Sequence, residues 1–480
     1  MSGAAEHRRT KIVATVGPAS RDVETLVELI EAGADVFRLN FSHGTPDDHA
    51  ENVARIREAA QRTGKWVGVL GDLPGPKIRL LALEGGRTTV HLNSEVTLTA
   101  GPADDYREDI VLPIDWEDLT DAVRVGDPIF LADGRIRLRA KSVGRKEVRT
   151  VVEAGGTVGS HQGVNLPASH AGSMPSAGAS DMDWVEFACA HEIDLLAVSF
   201  VRGAVDLEPV TERIRRCGGD IPLIAKIEKP QAVGNAEEII AAAGSGIMVA
   251  RGDLGIELPI ETIPATQKHL IELAGRDQKP AITATQMLAT MVSSDRPTRA
   301  EVTDVANAIY DGTDAVMLSE ETAIGDHPVE AVRVMDRVAR ATEPDLPYAE
   351  WLRNRVHSQD DVAASVAQGA VGATYRLGVA ALVVATTSGR TARVVSALRP
   401  QVPILAISPR IETVRRLNLL FGVRCAYHQD WSDLRELLDD CAVIARAEGV
   451  AAAGDLIIVT AGLPDQEMGT NLFEVHRVPE

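Results

Sequence analysis

The stretch that decides the fold is Leu223-Ile224-Ala225-Lys226-Ile227, followed after a helical segment by Ile247-Met248-Val249-Ala250. Both runs are short, continuous and largely apolar, and polar or glycine-containing residues bound them. Such runs are typical of strands that are buried on both faces, as in parallel sheets. The stretch therefore predicts two parallel strands joined by helical structure, with a lysine set inside the first strand.

Six more runs of the same kind lie on either side of this stretch. They are Ile12–Val16, Val36–Leu39, Trp66–Leu70, Leu195–Val198, Ala281–Ala284 and Ala315–Leu318. Helical patterns separate most of them. One helix is predicted after Ser20, a good N-cap, and Gly33 can end it. Eight buried strands that alternate with helices predict an α/β fold, a (β/α)8 TIM barrel.

The barrel pattern is interrupted once, between Leu81 and about Ser169. There apolar and polar residues alternate, as in Glu95-Val96-Thr97-Leu98-Thr99, which predicts a small β-rich domain inserted after the third strand. An insertion at that point would lie at the C-terminal face of the barrel, where a lid belongs. Beyond Glu343, prolines mark the start of a separate α/β unit. The predicted domains are a catalytic barrel (1–80 and 170–343), a small β-barrel lid (81–169) and a C-terminal α/β domain (344–480).

Composition narrows the class of protein. The chain has 480 residues, enough for two to four domains. Its formal charge of −20 disfavours binding to nucleic acid or to an anionic membrane. Residues 1–11 lack the apolar run of a signal peptide, and no apolar stretch is long enough to cross a bilayer. Four widely spaced cysteines indicate neither a disulfide framework nor a zinc site. We expect a cytoplasmic protein.

The ends of the predicted barrel strands are unusually polar. Barrel enzymes carry their catalytic groups at these C-terminal ends, and a lysine inside a buried strand needs a partner. The polar residues, in strand order, are Arg38, Asn40, Ser42, His43, Asp72, Ser199, Lys226, Glu228, Arg251, Asp253, Thr285, Ser319 and Glu321. The pattern predicts one charged site at one mouth of the barrel.

These residue types favour phosphoryl transfer. Glu228 and Asp253 are hard oxygen ligands suited to Mg²⁺, which takes one or two carboxylates and fills its shell with substrate oxygens and water. Arg38, Arg79 and Lys226 can surround a phosphoryl group and neutralise its charge. Taken alone, Lys226 and Glu228 also fit a structural ion pair, because residues i and i+2 share one face of a strand. A purely structural role of this kind would have to apply to the polar residues at all eight strand ends at once.

Several motifs resemble those of the pyruvate kinase family. The resemblance covers essentially the whole chain and is densest in the barrel. The matching segments are Thr10–Ser20, Arg38–Gly44, Gly75–Arg79, Ala225–Glu228, Met248–Leu254, Ala284–Leu288, Arg296–Glu301, Asp304–Ala308 and Met317–Ser319. The resemblance implies transfer of the phosphoryl group of phosphoenolpyruvate to ADP, giving pyruvate and ATP, with Mg²⁺ or Mn²⁺ as cofactor.

The resemblance also implies roles for individual residues. Lys226 would stabilise the moving phosphoryl group, Arg38 and Arg79 would grip it, and Glu228 and Asp253 would hold the divalent ion. Thr285 would lie near the carbon where the enolate is protonated, through water rather than as sole donor. Gly252 would take part in substrate binding, and the nucleotide would contact His43, Asn40 and Arg79. A monovalent-cation pocket would be formed by Asn40, Ser42, Asp72 and Leu73. Asp133 would be a lid residue near the metal-nucleotide.

The sequence departs from the family pattern at four places. Lys77 stands where many members have Glu, with Leu73 where they have Thr. An ammonium there would supply the positive charge otherwise provided by K⁺, so we expect activity without K⁺. Gln162 replaces a nucleotide-contacting lysine, which puts the nucleotide preference in question. Ser245 and Glu320 replace a common Asp and Gly, and neither change removes a residue assigned to the chemical step.

The C-terminal unit resembles the family's regulatory domain. Its loop Thr386-Thr387-Ser388-Gly389-Arg390-Thr391 follows a strand and opens a helix, so its hydroxyl and N–H groups can cradle the phosphate of an effector. The alternative is an ordinary glycine-containing turn. The resemblance further implies a homotetramer. Two other functions stay open at this point, a metal-dependent lyase or aldolase acting on pyruvate-like substrates, and a catalytically silent metabolite sensor.

Overall fold

A computed structural model describes most of the chain. The described residues are 7–76, 78–102, 110–132, 134–166, 177–354, 361–429, 431, 433–462 and 470–480. None of the helices in these ranges combines the length and the apolar character needed to pass through a bilayer.

Three parallel strands and two helices open the chain. They are β1 (Lys11–Thr15), α1 (Val23–Ala32), β2 (Val36–Asn40), α2 (Pro46–Thr63) and β3 (Gly68–Asp72). Gly33 ends α1 with a φ of 119°, a left-handed conformation that glycine adopts without a steric penalty. The predicted N-cap is wrong, because Asp22 and not Ser20 caps α1. The Asp22 side chain accepts a 2.9 Å hydrogen bond from Thr25 N, whereas Ser20 Oγ accepts from Gly17 N in the preceding turn.

Eight strands and one short helix follow β3. They are β4 (Arg87–Val90), β5 (Glu95–Ala100), β6 (Ile110–Ile114), α3 (Leu119–Ala122), β7 (Pro128–Leu131), β8 (Ile136–Val143), β9 (Glu147–Ala154), β10 (Gly156–Gly159) and β11 (Val164–Asn165). Six strands form one sheet in the order β11-β7-β8-β9-β5-β6, and β10 pairs with β4. Their apolar residues share a core separate from that of the barrel. This β-rich unit is the predicted insertion.

The chain then returns to the barrel. The elements are α4 (Ala179–Ala190), β12 (Leu195–Val198), α5 (Glu208–Arg216), β13 (Leu223–Ile227), α6 (Pro230–Gly234), α7 (Ala236–Ala242), β14 (Ile247–Ala250), α8 (Arg251–Glu257), α9 (Ile263–Arg276), β15 (Ala281–Ala284), α10 (Arg299–Tyr310), β16 (Ala315–Leu318), α11 (Glu320–Ala323) and α12 (Pro328–Thr342). The eight parallel strands close in the order β1-β16-β15-β14-β13-β12-β3-β2. This ring confirms the predicted TIM barrel, and all its strands end at the same face.

The C-terminal unit is a second α/β layer structure. Its elements are α13 (Tyr348–Asn354), α14 (Val362–Leu377), β17 (Ala381–Ala385), α15 (Arg390–Ala397), β18 (Ile404–Ser408), α16 (Ile411–Arg416), β19 (Val423–Tyr427), α17 (Leu434–Ala447), β20 (Leu456–Ala461) and β21 (Leu472–Arg477). The sheet order is β19-β18-β17-β20-β21, and β21 runs antiparallel to β20. The domain boundaries drawn from the sequence stay a prediction.

Candidate active site

The lysine embedded in β13 lies among side chains from three neighbouring strands. Lys226 Nζ is 2.8 Å from Glu228 Oε1 and 3.2 Å from Asp72 Oδ1. It also donates a 2.8 Å hydrogen bond to Ser199 Oγ, and Ser199 donates to the Leu73 carbonyl at 2.6 Å. The ends of β3, β12 and β13 therefore converge on one buried cation.

Arg38 joins this cluster from β2. Its Nε donates a 2.7 Å hydrogen bond to Asp72 Oδ2, and its Nη1 donates to Thr15 Oγ1 at 3.2 Å. Asp72 thus holds Arg38 with one oxygen and Lys226 with the other. This shared carboxylate keeps two cations side by side, as recognition of a phosphoryl group requires.

Electrostatics keep the cluster charged. Burial alone would lower the pKa of the Lys226 ammonium, but Asp72 and Glu228 outweigh burial and raise that pKa above its ordinary value. Burial likewise opposes ionisation of Asp72, yet Lys226 and Arg38 hold the pKa of Asp72 below its usual range. Lys226 is therefore a permanent cation at neutral pH.

Glu228 has the opposite tendency. Burial raises the pKa of this carboxyl, and the nearby Asp253 raises it further, against the attraction of Lys226. Glu228 Oε2 accepts a 2.8 Å hydrogen bond from Phe200 N. Its Oε1 is buried and has no aligned hydrogen-bond donor, although Lys226 Nζ lies close to it. Two mutually repelling carboxylates, one with an oxygen that lacks an aligned hydrogen-bond donor, fit a divalent cation.

The number of protein ligands for such a cation is small. In the parts of the chain that the structure describes, no group of three or more His, Cys, Asp or Glu side chains could hold a metal ion. A cation between Glu228 and Asp253 would therefore need oxygens from substrate and water, which is how Mg²⁺ is commonly bound in phosphoryl-transfer sites.

Gly252 and Thr285 meet across the ends of β14 and β15. Gly252 N donates a 2.7 Å hydrogen bond to Thr285 Oγ1, and that hydroxyl donates to the Ala284 carbonyl at 2.6 Å. Thr285 adopts a φ of 72°, which a β-branched residue takes only when its surroundings impose it. Neither Thr285 nor Asp253 is a helix N-cap: Asp253 lies inside the first turn of α8.

Arg251 positions this corner of the site. Its Nη1 donates to Asp304 Oδ1 at 2.7 Å, and its Nη2 donates to the Thr285 carbonyl at 2.9 Å. Arg251 thus links α8, the end of β15 and α10, and its guanidinium is committed to structural partners.

The residues predicted for nucleotide and monovalent cation lie beside the cluster, at the end of β2. Asn40 is paired with Asp72 in the register of β2 and β3, and its Oδ1 accepts from Ser42 N at 3.2 Å. His43 is exposed, and its carbonyl accepts from His49 Nε2 at 2.8 Å. Leu73 is fully buried and its side chain joins the barrel core, so it offers no side-chain oxygen to a cation.

Arg79 lies where the lid begins. It pairs with Gly163 across a β-bridge, and its Nη1 donates to the His161 carbonyl at 3.1 Å. Among the described contacts Arg79 therefore belongs to the lid side of the cleft and is not brought into the Lys226 cluster. Gln162 Oε1 accepts from Gly159 N at 2.9 Å, which closes a local turn. The predicted roles of Lys77 and Asp133 fall on positions outside the described residues.

One residue near the site was missed by the sequence analysis. Asp181 is buried, and its two oxygens accept hydrogen bonds from Gly75 N at 2.9 Å and Gly178 N at 2.7 Å. Gly75 precedes the lid and Gly178 follows it. The sequence offers only a weak signal for this role, namely that Asp181 follows Gly178 by three residues at the start of a helix. Nothing in that local pattern indicates a partner as distant in the chain as Gly75.

The loop at 386–391 forms a compact turn before α15. Gly389 has a φ of 82°, and its N–H donates to Thr386 Oγ1 at 3.0 Å. Thr391 Oγ1 is hydrogen-bonded to Thr470 Oγ1. Thr387 and Ser388 are exposed at the tip. The loop thus has internal hydrogen bonds, as an ordinary turn does, and two exposed hydroxyl side chains at its tip.

A parallel barrel with acids and cations gathered at the ends of its strands defines a TIM-barrel enzyme that handles anionic substrates. Comparison with known proteins makes the class specific. The family model for the pyruvate kinase barrel domain matches residues 7–332, and the model for the pyruvate kinase alpha/beta domain matches residues 364–476. The chain belongs to the pyruvate kinase family.

Individual relatives agree with this assignment. The chain is 42% identical to a pyruvate kinase of Geobacillus stearothermophilus over 98% of its own length and 81% of the relative. It is 38% identical to a pyruvate kinase of Thermococcus litoralis over 98% of its length and 99% of the relative. A pyruvate kinase of Bacillus licheniformis is 39% identical over 98% of the chain and 80% of the relative. The predicted family and enzyme class are confirmed.

Proposed function

We propose that the chain transfers the phosphoryl group of phosphoenolpyruvate to ADP, giving pyruvate and ATP in the last step of glycolysis. The observation that carries the proposal is the Lys226 ammonium, which Asp72 and Glu228 hold in its charged form. A fixed cation of this kind neutralises charge on a phosphoryl group as it moves between two oxygens. Arg38, held by the same Asp72, supports the phosphate from the adjacent strand.

The divalent ion is proposed to be Mg²⁺ or Mn²⁺, held by Glu228 and Asp253. When bound, such an ion supplies Lewis-acid stabilisation of negative charge on substrate oxygens. The protein contributes the dry environment of Glu228, whose side chain is fully buried. Gly252, beside Asp253, is proposed to line the substrate site from the first turn of α8.

Thr285 is proposed to direct the proton that reaches the enolate carbon. Its hydroxyl already donates to the Ala284 carbonyl and accepts from Gly252 N. Because its single proton is already donated to the Ala284 carbonyl, Thr285 is better placed to orient a water molecule than to act as sole donor. This agrees with the role that the family resemblance implies.

We propose that K⁺ is not required. Asp72, which the resemblance places in the monovalent-cation pocket, already contacts Arg38 and Lys226 with its two oxygens, and Leu73 offers no hydroxyl. The positive charge of Lys77 would take the place of K⁺.

The nucleotide is proposed to lie over His43 and Asn40, with Arg79 reaching it from the lid side. The loop Thr386–Thr391 is proposed to receive a phosphorylated effector, and the assembly is proposed to be a cytoplasmic homotetramer. The exposed His43 and the exposed tip of the 386–391 loop support accessibility to ligands.

The central test compares Lys226→Met with Lys268→Met, an exposed control on α9 that pairs with Asp311. Both variants are assayed for pyruvate formation from phosphoenolpyruvate and ADP, and for exchange of the methyl protons of pyruvate. Lys226→Met should lose phosphoryl transfer by at least about 10³-fold and keep proton exchange, while the control keeps both. Retention of phosphoryl transfer in Lys226→Met would overturn the proposal. A lyase reaction in a wild-type enzyme that shows no phosphoryl transfer would favour the pyruvate-lyase alternative.

The K⁺ proposal has its own test. Turnover is measured in KCl and in tetramethylammonium chloride at equal ionic strength. The wild type should be equally active in both salts, and the double variant Lys77→Glu with Leu73→Thr should become K⁺-dependent. A strong rise in wild-type turnover with KCl would refute K⁺ independence without affecting the assignment of the reaction.

A further inference from the structure

A buried ion pair joins the two elements that carry the acids proposed to hold the divalent ion. Lys229, the residue after Glu228, places its Nζ 2.6 Å from Glu257 Oε1. Glu257 ends α8, about one helical turn after Asp253. The pair therefore links the segment that follows β13 to the helix that bears the second acid.

Glu257 depends on Lys229 for its charged state in the interior. The Glu257 side chain is fully buried, whereas 20% of the Lys229 side chain is exposed. The second carboxylate oxygen of Glu257, Oε2, is also buried and has no hydrogen-bond partner. Burial of a carboxylate is costly unless a cation accompanies it. Lys229 is thus the counterion that keeps Glu257, and with it the end of α8, in place.

Lys229 also lies against the residue that holds Glu228. Its Nζ is 5.6 Å from the centroid of the Phe200 ring, within the range of a cation–π contact. The backbone N–H of Phe200 donates the 2.8 Å hydrogen bond to Glu228 Oε2. Phe200 has a φ of 54°, which a bulky residue adopts only when its surroundings impose it. The Lys229 ammonium therefore contacts the ring of the residue whose N–H orients Glu228.

The two ends of α8 are attached to different parts of the barrel. At its start, Gly252 N donates a 2.7 Å hydrogen bond to Thr285 Oγ1 at the end of β15. At its end, Glu257 is attached through Lys229 to the segment after β13. Asp253 lies between these two attachments, so its position relative to β13 depends on both of them.

We propose that Lys229 and Glu257 are positioning residues for the divalent cation. The pair fixes the separation of Glu228 and Asp253, and it acts through these two acids rather than by contact with the ion. This inference rests on the proposed role of Glu228 and Asp253 as metal ligands. Replacement of groups that orient metal ligands typically weakens metal binding by about 10- to 100-fold.

The charge of Lys229 alone predicts the opposite effect. Lys229 is a cation one residue away from Glu228, and a cation repels a divalent ion bound nearby. If only this charge mattered, removal of the ammonium should tighten metal binding. If the ion pair holds the two acids in place, the same removal should weaken metal binding. The sign of the change therefore separates positioning from simple electrostatics.

The test measures the binding of Mn²⁺ alone to the full-length enzyme, without substrate and without turnover. The electron paramagnetic resonance signal of free Mn²⁺ gives the Kd. Lys229→Met should raise this Kd at least about tenfold. Lys229→Arg should stay close to wild type, because Arg keeps the charge and can donate to both oxygens of Glu257. The control Lys141→Met removes an exposed lysine of the lid that pairs with Glu95, and its Kd should not change.

Unchanged or tighter Mn²⁺ binding in Lys229→Met would overturn the positioning role, and a lower Tm with an unchanged Kd would show that the pair only stabilises the fold. If Lys229→Met does not fold, the double variant Lys229→Met with Glu257→Gln replaces it, because this variant leaves no charge of the pair buried alone. The same rise in Kd is expected there, and its absence rejects the proposal.

Glu228→Gln distinguishes failure of this inference from failure of the metal site itself. Weaker Mn²⁺ binding in Glu228→Gln together with unchanged binding in Lys229→Met rejects the positioning role alone. Unchanged binding in Glu228→Gln rejects the proposed ligands, and the positioning role falls with them.

Discussion

At the scale of single residues, Glu228 is a side chain whose charged form is costly to bury without a bound cation. Its carboxylate is fully buried beside Asp253, and one oxygen lacks an aligned donor. Burying a carboxylate without full compensation destabilises a fold. The arrangement makes sense when a divalent cation completes it.

Glu228→Gln should therefore separate function from stability. The amide keeps the shape and can still accept from Phe200 N, but it removes the charge that the metal needs. We expect the Mg²⁺ concentration for half-maximal activity to rise at least about tenfold, which corresponds to ~1.4 kcal/mol. In the absence of Mg²⁺ the Tm should stay level or rise, because burial and the repulsion from Asp253 together disfavour the charged carboxylate more than Lys226 favours it.

Activity titrations with Mg²⁺ and thermal unfolding in EDTA measure the two effects. The control is Glu237→Gln, which removes the same charge from an exposed residue on α7 that pairs with Arg276. An unchanged Mg²⁺ requirement in Glu228→Gln would remove this residue from the metal site.

At the scale of elements, the Asp181 carboxylate is hydrogen-bonded to both of the segments that connect the lid with the barrel. Asp181, near the start of α4, accepts from Gly75 on the outgoing segment and from Gly178 on the returning one. Gly75 has no room for a side chain, since an added Cβ would lie 2.9 Å from Ser199 Cβ, and its φ is +66°. The outgoing segment is thus pressed against the end of β12, which carries Ser199, the partner of Lys226.

Asp181→Asn should loosen this junction. The amide can accept only one of the two backbone N–H bonds, so the other N–H is left unsatisfied at a cost of about 1–3 kcal/mol. We expect hydrogen exchange at Gly75 to accelerate and the KM for ADP to rise several-fold, with a smaller fall in kcat. Asp183→Asn, an exposed neighbour on α4, is the control, and equal behaviour of the two variants would show that Asp181 has only a local role at the helix start.

How far the sequence could predict the fold depends on the range of the interactions. Barrel strands such as β13 and β14 were predicted with the bounds that the structure has, because continuous apolar runs carry a strong signal. The edge strand β21 was missed, since its side chains are largely exposed and alternate poorly. The contact of Asp181 with Gly75 was also missed, because spacing along the chain carries no information about such a distant pair. The structure brings Asp72, Ser199 and Glu228 to Lys226, because barrel topology places every strand end at one face. The roles of these residues stay a prediction.

At the scale of the whole molecule, a buried ion pair joins the barrel to the C-terminal unit. Asp314, just before β16, meets Arg399, which follows α15, through two contacts of 2.9 Å. Arg399 also lies over the ring of Phe421, with its Cζ 4.3 Å from the ring centroid. Asp314 Oδ2 accepts from Ala281 N as well, so the same carboxylate holds the entry to β15.

Asp314→Asn should be among the most destabilising single changes in the chain. It leaves the Arg399 charge buried without a counterion, which typically costs about 3–5 kcal/mol, whereas replacing both partners by uncharged residues costs much less. We therefore expect a large fall in Tm and in the urea midpoint for Asp314→Asn, and partial recovery when Arg399→Met is added. The exposed pair Lys141 and Glu95 provides the comparison, since Lys141→Met should change the Tm little. If the double variant is as unstable as the sum of its single changes, the two residues do not act as a pair, and contacts such as that of Arg416 with Asp220 must carry the interface.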